Sequence, residues 1–379
     1  MSRWQIIELA VLLLPGFLIL WRVRFCRGLA VERVRDVTAV SGKLPSFSVV
    51  IPARDEEARL PHLLESLRAQ TVMPVEVLVV DDASSDRTAK LAREAGCRVI
   101  SAGEKPKGWL GKTWASWLGA QQAGAELILF LDADTRLLPE GCERLLEERR
   151  LFGGVVTVQP WHETGRGAEK LSSFFNVVVM AAINSFAAFG DAIAPAGCFG
   201  PCILCGREEY FRVDGHRAVR GSILEDLDLG RSFLSAGIPV RCRGGKGTIE
   251  FRMYADGILA QVEGWSKNMA RGAQGSHPAV LLCIALWICG CASAAFFAAS
   301  FIPWKGLPAP VEAAVFYLLY AGQLFWMFRR IGNFGLQSAL LFPFHLLFFS
   351  LVFLRSLLFT FVVRRVSWKG RSIERPARL

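Results

Sequence analysis

Residues 127–134 read LILFLDAD, an unbroken apolar run that ends in two acidic residues with one alanine between them. Five consecutive apolar residues predict a strand that is buried on both faces, as strands of a parallel sheet are. Successive side chains of an extended chain alternate in direction, so we expect Asp132 and Asp134 to point the same way. Carboxylate oxygens are ligands that Mg²⁺ and Mn²⁺ prefer. The stretch therefore predicts a central strand that ends at a Mg²⁺ or Mn²⁺ site.

Two similar units precede this strand. Residues 47–52 (FSVVIP) and 75–80 (VEVLVV) are short apolar runs, and each is followed by acidic residues and then by a helical pattern. Strands that alternate with helices predict an α/β fold with a mainly parallel, Rossmann-like mixed sheet flanked by helices. Ligands of such sheets bind at the carboxyl ends of the strands. We expect the acidic residues there to form one site: Asp55, Asp81, Asp82, Asp132 and Asp134.

A lysine follows a glycine-rich turn in residues 106–113 (PKGWLGKT). The segment is close to a phosphate-binding P-loop, but that motif needs glycine where Pro106 stands, so we exclude a P-loop. Lys112 remains well suited to contact base or phosphate oxygens of a bound nucleotide.

Two adjacent carboxylates, Glu225 and Asp226, begin a helical pattern in residues 222–233 (SILEDLDLGRSF). A carboxylate near a bound acceptor can take the proton of its hydroxyl group. The alternative is that both acids only stabilise the start of the helix through its dipole. The residues alone leave both interpretations open.

Apolar residues make up 52% of the 379-residue chain and are concentrated in four stretches. These are residues 6–21, 279–302, 311–328 and 336–363. A membrane-crossing helix needs roughly 20 such residues. The last stretch is too long for one crossing and too short for two, and it contains Pro343, so we predict a kinked or re-entrant hairpin there.

Basic residues lie beside these stretches, starting with a cluster of arginines between residues 22 and 35. Lys and Arg that flank membrane helices stay in the cytoplasm. We therefore predict a multi-pass protein of the plasma membrane. Its parts are an anchor at residues 1–22, a cytoplasmic domain at 23–278, membrane helices at 279–363 and a basic cytoplasmic tail at 364–379. Attraction to membrane lipid headgroups explains the net charge of +10, so no nucleic-acid partner is predicted.

Residues 174–190 are also apolar, but Asn176 and Asn184 interrupt them. A helix along the membrane surface and an ordinary core helix are equally compatible with this pattern. The ionisable residues within the apolar stretches are few and do not form evident pairs, which disfavours a membrane transporter.

The order of the motifs resembles the family-2 glycosyltransferases of the GT-A fold. The resemblance covers about residues 47–271 and rests on SVVIPARDEE, VVDDASSD, LDAD, LEDLDLGR and QVEGW. It implies an inverting enzyme that uses Mg²⁺ or Mn²⁺ and a UDP-sugar donor. The residues implied to bind the donor are Pro52, Arg54, Glu56, Asp82, Lys112, Asp132, Gln261 and Trp265. Asp132 and Asp134 would hold the metal, and Asp226, beside Glu225, would be the catalytic base.

Within the family, four further segments look like bacterial enzymes that glycosylate carotenoid acids, with hopanoid-associated relatives more distant. These segments are GWLGKTWASWLGAQ, FGPCILCGREEYFRVDGH, FRMYADG and VSWKGR. They imply glucose as the sugar and, as acceptor, a lipid such as a carotenoid acid or another isoprenoid. The alternatives are a processive polysaccharide synthase and an inactive, lipid-binding relative.

One position departs from the family pattern. The motif Q-x-x-R-W is present as Gln261 and Trp265, but Gly264 stands where the arginine is expected. That arginine would help to hold the diphosphate, so Lys267 or Arg271 is a candidate substitute. The departure disfavours processive polymer synthesis.

Overall fold

The computed structural model describes residues 3–26, 44–165, 167–255, 257–272, 275–299, 310–359, 366–368 and 371–373. The chain divides into two compact units. The sheet unit consists of Arg24–His162 and Pro195–Arg252, and the helical unit consists of Met1–Val23, Glu163–Ala194 and Met253–Leu379.

A seven-stranded mixed sheet forms the centre of the sheet unit. Its strands, in spatial order, are β3 (Arg98–Ser101), β2 (Glu76–Asp81), β1 (Phe47–Ala53), β4 (Leu127–Leu131), β8 (Cys202–Gly206), β6 (Val155–Gln159) and β9 (Val240–Gly244). The first four strands are parallel to one another, whereas β8 is antiparallel to both β4 and β6, and β9 is parallel to β6. A smaller sheet contains β5 (Thr135–Leu137), β10 (Ile249–Phe251) and β7 (Trp161–His162).

Burial explains why these segments are strands. Every residue of β4, β6 and β8 is buried, as expected for strands that are covered on both faces. The helix α2 (Leu60–Arg68) covers part of the sheet with leucines at positions 60, 63, 64 and 67, the spacing of one helix face. The other helices of this unit are α3 (Thr88–Glu94), α4 (Gly111–Gln122), α5 (Gly141–Phe152), α7 (Arg207–Arg212), α8 (Gly215–Ala218) and α9 (Glu225–Ser235).

The helical unit contains most of the apolar stretches. Its helices are α1 (Arg3–Leu20), α6 (Ser173–Ala182), α10 (Ile258–Gly272), α11 (Pro278–Ala299), α12 (Pro310–Ile331), α13 (Gly335–Leu340) and α14 (Phe342–Leu358). Its other described elements are short 3₁₀ turns at Gly167–Ser172 and Gly190–Ala192 and the antiparallel strands β11 (Val366–Trp368) and β12 (Arg371–Ile373). Among the described residues, Pro278–Ala299 and Val311–Ile331 are long and apolar enough to cross a membrane.

Polar side chains connect α1 to the long helices. The Trp287 indole donates a hydrogen bond to the Gln323 amide oxygen at 3.0 Å, and the Gln323 amide donates to the carbonyl of Leu13 at 2.7 Å. Hydrogen bonds of this kind hold helices together where the surroundings are apolar on all sides.

The structure clarifies two expectations for the apolar stretches. The last stretch is broken at Leu341, between α13 and α14, in agreement with the predicted kink; its re-entry into a membrane stays a prediction. In α6, Phe174 and Phe175 are fully buried, which favours a core helix over a helix on the membrane surface.

The division into compact units differs from the sequence-based one. Residues 163–194 and 253–278 join the helical unit, although they lie within the predicted domain at 23–278. The reason is that their apolar side chains pack against the long helices, as Phe174 stacks on Trp287. Where the membrane boundaries fall stays a prediction, and most of the basic tail lies outside the described residues.

Candidate active site

The candidate site lies in the sheet unit, at the carboxyl ends of β1, β2 and β4. Asp81 is the last residue of β2 and pairs in register with Ala53, the last residue of β1. Asp132 directly follows β4. The topology therefore places the acidic residues at one sheet edge, as the alternation of strands and helices predicts.

Lys112 lies among three carboxylates at this edge. Its ammonium nitrogen is 2.9 Å from Asp132 Oδ1, 3.5 Å from Glu225 Oε1 and 3.6 Å from Asp226 Oδ2. The Lys112 side chain is 34% exposed and that of Asp226 is 21% exposed, so these charges are shielded from solvent but remain accessible. Two predicted catalytic residues and two predicted donor-binding residues thus meet in one cluster.

Arg54 and Asp82 lie beside this cluster. The Arg54 guanidinium is 3.5 Å from Asp82 Oδ2 and 3.7 Å from Asp55 Oδ2. The Asp82 carboxylate lies so close to Gly111 that a Cβ atom there would overlap it. Because Gly111 precedes Lys112, the carboxylates around Arg54 and those around Lys112 form one continuous site.

The pKa values of two carboxylates at this edge are raised by burial and, secondarily, by nearby negative charge. Burial raises the pKa of Asp134 to about 7, and the nearby charges of Asp132 and Glu56 contribute to the rise. Burial likewise raises the pKa of Asp226 to about 8, with Glu225 as the next cause. Both carboxylates therefore lie where additional positive charge would stabilise their ionised forms.

The carboxylates at this edge suit a metal ion that receives only part of its ligands from the protein and the rest from a bound substrate. Within the residues that the structure describes, no three His, Cys, Asp or Glu side chains are arranged to hold a metal ion by themselves. Mg²⁺ in nucleotide sites is commonly held by one or two carboxylates, and phosphate oxygens and water complete the shell. Asp132 and Asp134 fit that role because they supply two neighbouring carboxylates in a region of excess negative charge.

Two hydrogen bonds to one backbone carbonyl fix the start of the helix that carries Lys112. The amide of Leu110 and the hydroxyl of Thr113 each donate a hydrogen bond to the carbonyl of Arg220, both at 2.9 Å. Arg220 belongs to the segment that leads into α9, where Glu225 and Asp226 are the first two residues. The start of α4 and the start of α9 are thereby held in a fixed relation.

Gly200 makes room for the candidate base. A Cβ atom at position 200 would overlap the carboxylate of Asp226, with its nearest contact at Oδ2. Nothing in the spacing of the segment FGPC indicates this role, so sequence analysis misses Gly200.

We expect Gly200→Ala to displace the Asp226 carboxylate and to lower the turnover of the enzyme about 10- to 100-fold, because small errors in the position of a reacting group are costly. Steady-state kinetics would measure the effect. Gly124→Ala is the matched control, since a Cβ there meets only ordinary van der Waals contact. An unchanged turnover in Gly200→Ala would contradict the assigned role.

Other acidic residues of this edge shape the loops. Asp55 Oδ1 accepts a hydrogen bond from the backbone amide of Ser85 at 2.7 Å, which lowers the pKa of Asp55 below its usual value. Asp86 accepts hydrogen bonds from the backbone amides of Glu57 and Thr88. Asp55 and Asp86 thus join the loops after β1 and β2. Asp55 lies at the same sheet edge as the other acidic residues, as expected. Its carboxylate, however, accepts the hydrogen bond from Ser85 and so holds the loops together.

Two further predicted donor-binding residues lie at the end of β1. Pro52 is within the strand, in register with Val80. The backbone amide of Glu56 donates to the Thr88 hydroxyl, and its carboxylate pairs with Arg59 at 3.2 Å. The structure places both residues at the edge that carries the site, and their contact with a donor stays a prediction.

Gln261 and Trp265 belong to the helical unit. The Gln261 amide is 2.5 Å from the hydroxyl of Ser172, and the Trp265 indole donates to the same hydroxyl at 3.1 Å. Trp265 also stacks on Phe175, with the ring centroids 4.8 Å apart. Both side chains thus anchor α10 to the turn before α6. Their contact with the donor stays a prediction. The side chains of Lys267 and Arg271, the candidate substitutes for the missing arginine, are not among those that the structure describes.

The structure gives a physical reason for glycine at position 264. A Cβ atom there would overlap the ring of Tyr254, which also packs against Trp265. The space that a larger residue would need is therefore filled by an aromatic side chain of the same unit.

We expect Gly264→Arg, which restores the family arginine, to lower the free energy of unfolding by about 1–3 kcal/mol through overpacking and not to increase transfer. Chemical denaturation would measure the first effect. Gly322→Ala is the control, since a Cβ there meets no atom within 4 Å. Higher activity with an unchanged free energy of unfolding would show that position 264 can accommodate the arginine and would contradict this packing explanation.

Comparison with known proteins shows which family the chain resembles over most of its length. The model of "Glycosyl transferase family 2" matches residues 48–208. The chain is 34% identical over 330 residues to the 4,4'-diaponeurosporenoate glycosyltransferase of Staphylococcus aureus (strain USA300), which covers 86% of this chain and 88% of that protein. It is 35% identical over 334 residues to the enzyme of the same name from Staphylococcus haemolyticus (strain JCSC1435), which covers 87% and 88%.

A solved structure shares the fold. Mannosyltransferase PcManGT from Pyrobaculum calidifontis, in complex with GDP-Man and Mn²⁺, superposes with a TM-score of 0.53. The match covers 92% of this chain and 97% of that one, at 17% identity. The predicted α/β fold of the GT-A class is confirmed.

Proposed function

The chain belongs to glycosyl transferase family 2 and is a glycosyltransferase, and we propose that it moves glucose from a UDP-sugar to a lipid acceptor such as a carotenoid acid. The observation that carries the proposal is the cluster of Asp132, Glu225 and Asp226 around the Lys112 ammonium, beside Arg54 and Asp82. It combines groups that can hold a nucleoside diphosphate with groups that can accept a proton. The acceptor class is supported by the names of the relatives, and glucose by the resemblance alone.

In this proposal, the donor lies along the sheet edge. Asp82 and Arg54 would contact the base and ribose, and Lys112 would contact the diphosphate. Asp132 and Asp134 would hold Mg²⁺ or Mn²⁺; when bound, such an ion offsets the negative charge that grows on the leaving diphosphate. The Mn²⁺ in the complex of the mannosyltransferase PcManGT supports this part.

Asp226 would act on the acceptor. An acceptor oxygen forms a bond to the anomeric carbon as the bond from that carbon to the diphosphate breaks, so the configuration inverts. The proton of an acceptor hydroxyl passes to Asp226, whose raised pKa makes it a stronger base once ionised. If the acceptor group is a carboxylate, no proton has to leave, and Asp226 orients the acceptor instead.

The helical unit supports a lipid acceptor and a place in the plasma membrane. Large apolar side chains are exposed on α11, α12 and α14, as expected for helices in contact with membrane lipids. They include Leu282, Phe296, Val311, Leu318, Phe344, Leu347 and Leu351. The arginines around the apolar stretches support a multi-pass topology with the site on the cytoplasmic side.

An acceptor and donor panel tests the proposal. The purified protein would be incubated with Mn²⁺, a carotenoid acid or a hydroxylated isoprenoid, and UDP-glucose, other UDP-sugars or GDP-mannose. We expect nucleoside diphosphate release together with a lipid that carries one sugar, detected by mass spectrometry. Long polymer would instead support a processive synthase, and neither product nor donor binding would support an inactive relative.

A further inference from the structure

Lys112 contacts both carboxylate oxygens of Asp132, one of the two candidate metal ligands. Its ammonium nitrogen is 2.9 Å from Oδ1 and 3.2 Å from Oδ2 of Asp132. Glu225 and Asp226 face the same ammonium at 3.5 Å and 3.6 Å. The three carboxylates therefore share one resident positive charge.

An ammonium and a divalent cation use the same lone pairs. The ammonium group has three donors and no acceptor, so each contact to Asp132 occupies an oxygen that a metal would need. Two cations within a few ångströms of each other also repel, more strongly in this shielded cluster than in water. A metal ion can therefore use Asp132 fully only if the Lys112 ammonium moves away.

We propose that Lys112 competes with the divalent cation for Asp132, so that the enzyme binds the cation tightly only together with the nucleoside diphosphate. The proposal rests on the proposed function. The negative oxygens of the diphosphate would accept the hydrogen bonds of the Lys112 ammonium in place of Asp132. The Asp132 carboxylate is then free to bind the metal. Metal and nucleotide then bind with positive coupling, and each raises the affinity for the other by the same factor.

The position of Lys112 suits this exchange. It is the second residue of the 12-residue helix α4, so the ammonium and the helix N-terminus both favour an anion at the same place. The backbone of this turn is fixed by the contacts of Leu110 and Thr113 with the Arg220 carbonyl. The exchange therefore needs a change in the side-chain rotamers of Lys112 and no movement of the helix.

A Mn²⁺ titration of the full-length protein tests the proposal. Free Mn²⁺ would be followed by electron paramagnetic resonance for wild type, Lys112→Met and Lys112→Arg, with and without UDP. We expect Lys112→Met to bind Mn²⁺ alone at least about tenfold more tightly than wild type and to gain less from UDP, because no ammonium has to be displaced. Lys112→Arg keeps the positive charge and should behave like wild type.

Thermal unfolding provides a second measurement. Lys112→Met leaves three carboxylates without their shared cation, so Mn²⁺ should raise its unfolding midpoint more than that of wild type. If this variant is too unstable to purify, Lys112→Gln replaces it, because the amide can still donate a hydrogen bond to Asp132.

The outcomes separate the two proposals. Normal UDP binding with an unchanged Mn²⁺ affinity in Lys112→Met, or in Lys112→Gln, would overturn the role of Lys112 alone. If the wild-type protein shows neither Mn²⁺-dependent UDP binding nor sugar transfer, the proposed function itself is contradicted.

Discussion

Asp226→Asn is expected to lower the turnover for a hydroxyl acceptor by about a thousandfold, within the range that general base catalysis contributes. The asparagine keeps the size of the side chain but cannot accept the proton. Donor affinity should stay close to that of wild type, because Lys112, Asp82 and Arg54 are unchanged. Single-turnover kinetics and UDP binding to the same preparation would measure the two effects separately.

A surface carboxylate provides the control for this variant. Glu208→Gln removes one negative charge at an exposed position of α7, and its turnover should match that of wild type. If Asp226→Asn transfers sugar at the wild-type rate to a hydroxyl acceptor, Asp226 is not the base. A large loss with hydroxyl acceptors and a small loss with carboxylate acceptors would identify its orienting role.

Asp134→Asn is expected to lower transfer by a factor of about one hundred or more, because it removes one of the two carboxylates that we propose to hold the metal and, through it, the diphosphate. Mn²⁺-dependent binding of UDP should weaken with it, and equilibrium titration would measure that loss. Arg136→Gln is a control two residues away, since Arg136 pairs with Glu250 in the smaller sheet. Unchanged binding and transfer in Asp134→Asn would remove Asp134 from the metal site.

The same variant should be more stable than wild type. The pKa of Asp134 is raised from 3.8 to about 7, so folding disfavours its ionised form. The resulting loss of stability is absent below pH 4, grows between pH 4 and pH 7 and is constant above pH 7. In the presence of EDTA, the gain in unfolding midpoint should follow this pH dependence. Lower stability of the variant at pH 8 would contradict the raised pKa of Asp134.

The parts of the fold that can be predicted are those that depend on the pattern of apolar and polar residues within one short segment. The buried strand β4 and the acidic residues after it follow from five apolar residues and a period of two, and the structure confirms them. The shared edge of Asp82 and Asp132 follows from the parallel order of β1, β2 and β4. These features depend on residues that are close in sequence or on a general rule of sheet topology.

Contacts between distant segments could not be predicted in the same way. The meeting of Lys112 with Glu225 and Asp226 joins residues more than 100 positions apart, and it depends on the contact of α4 with the Arg220 carbonyl. The role of Gly200 depends on the absence of a side chain, which leaves no chemical signal in the sequence.

The helical unit shows the same limit. Its apolar stretches are evident from composition, but the packing of residues 163–194 with them is not, because a core helix and a surface helix have similar apolar content. The contacts of Gln261 and Trp265 with Ser172 also depend on this packing.

The most direct test of the account is equilibrium binding of UDP to the purified wild-type protein, measured by calorimetry with Mn²⁺ and with EDTA. If the acidic edge holds a nucleoside diphosphate through a divalent cation, binding with Mn²⁺ should be at least about tenfold tighter than with EDTA, and Asp134→Asn should abolish the difference. Equal affinity under both conditions in the wild type would contradict the central claim.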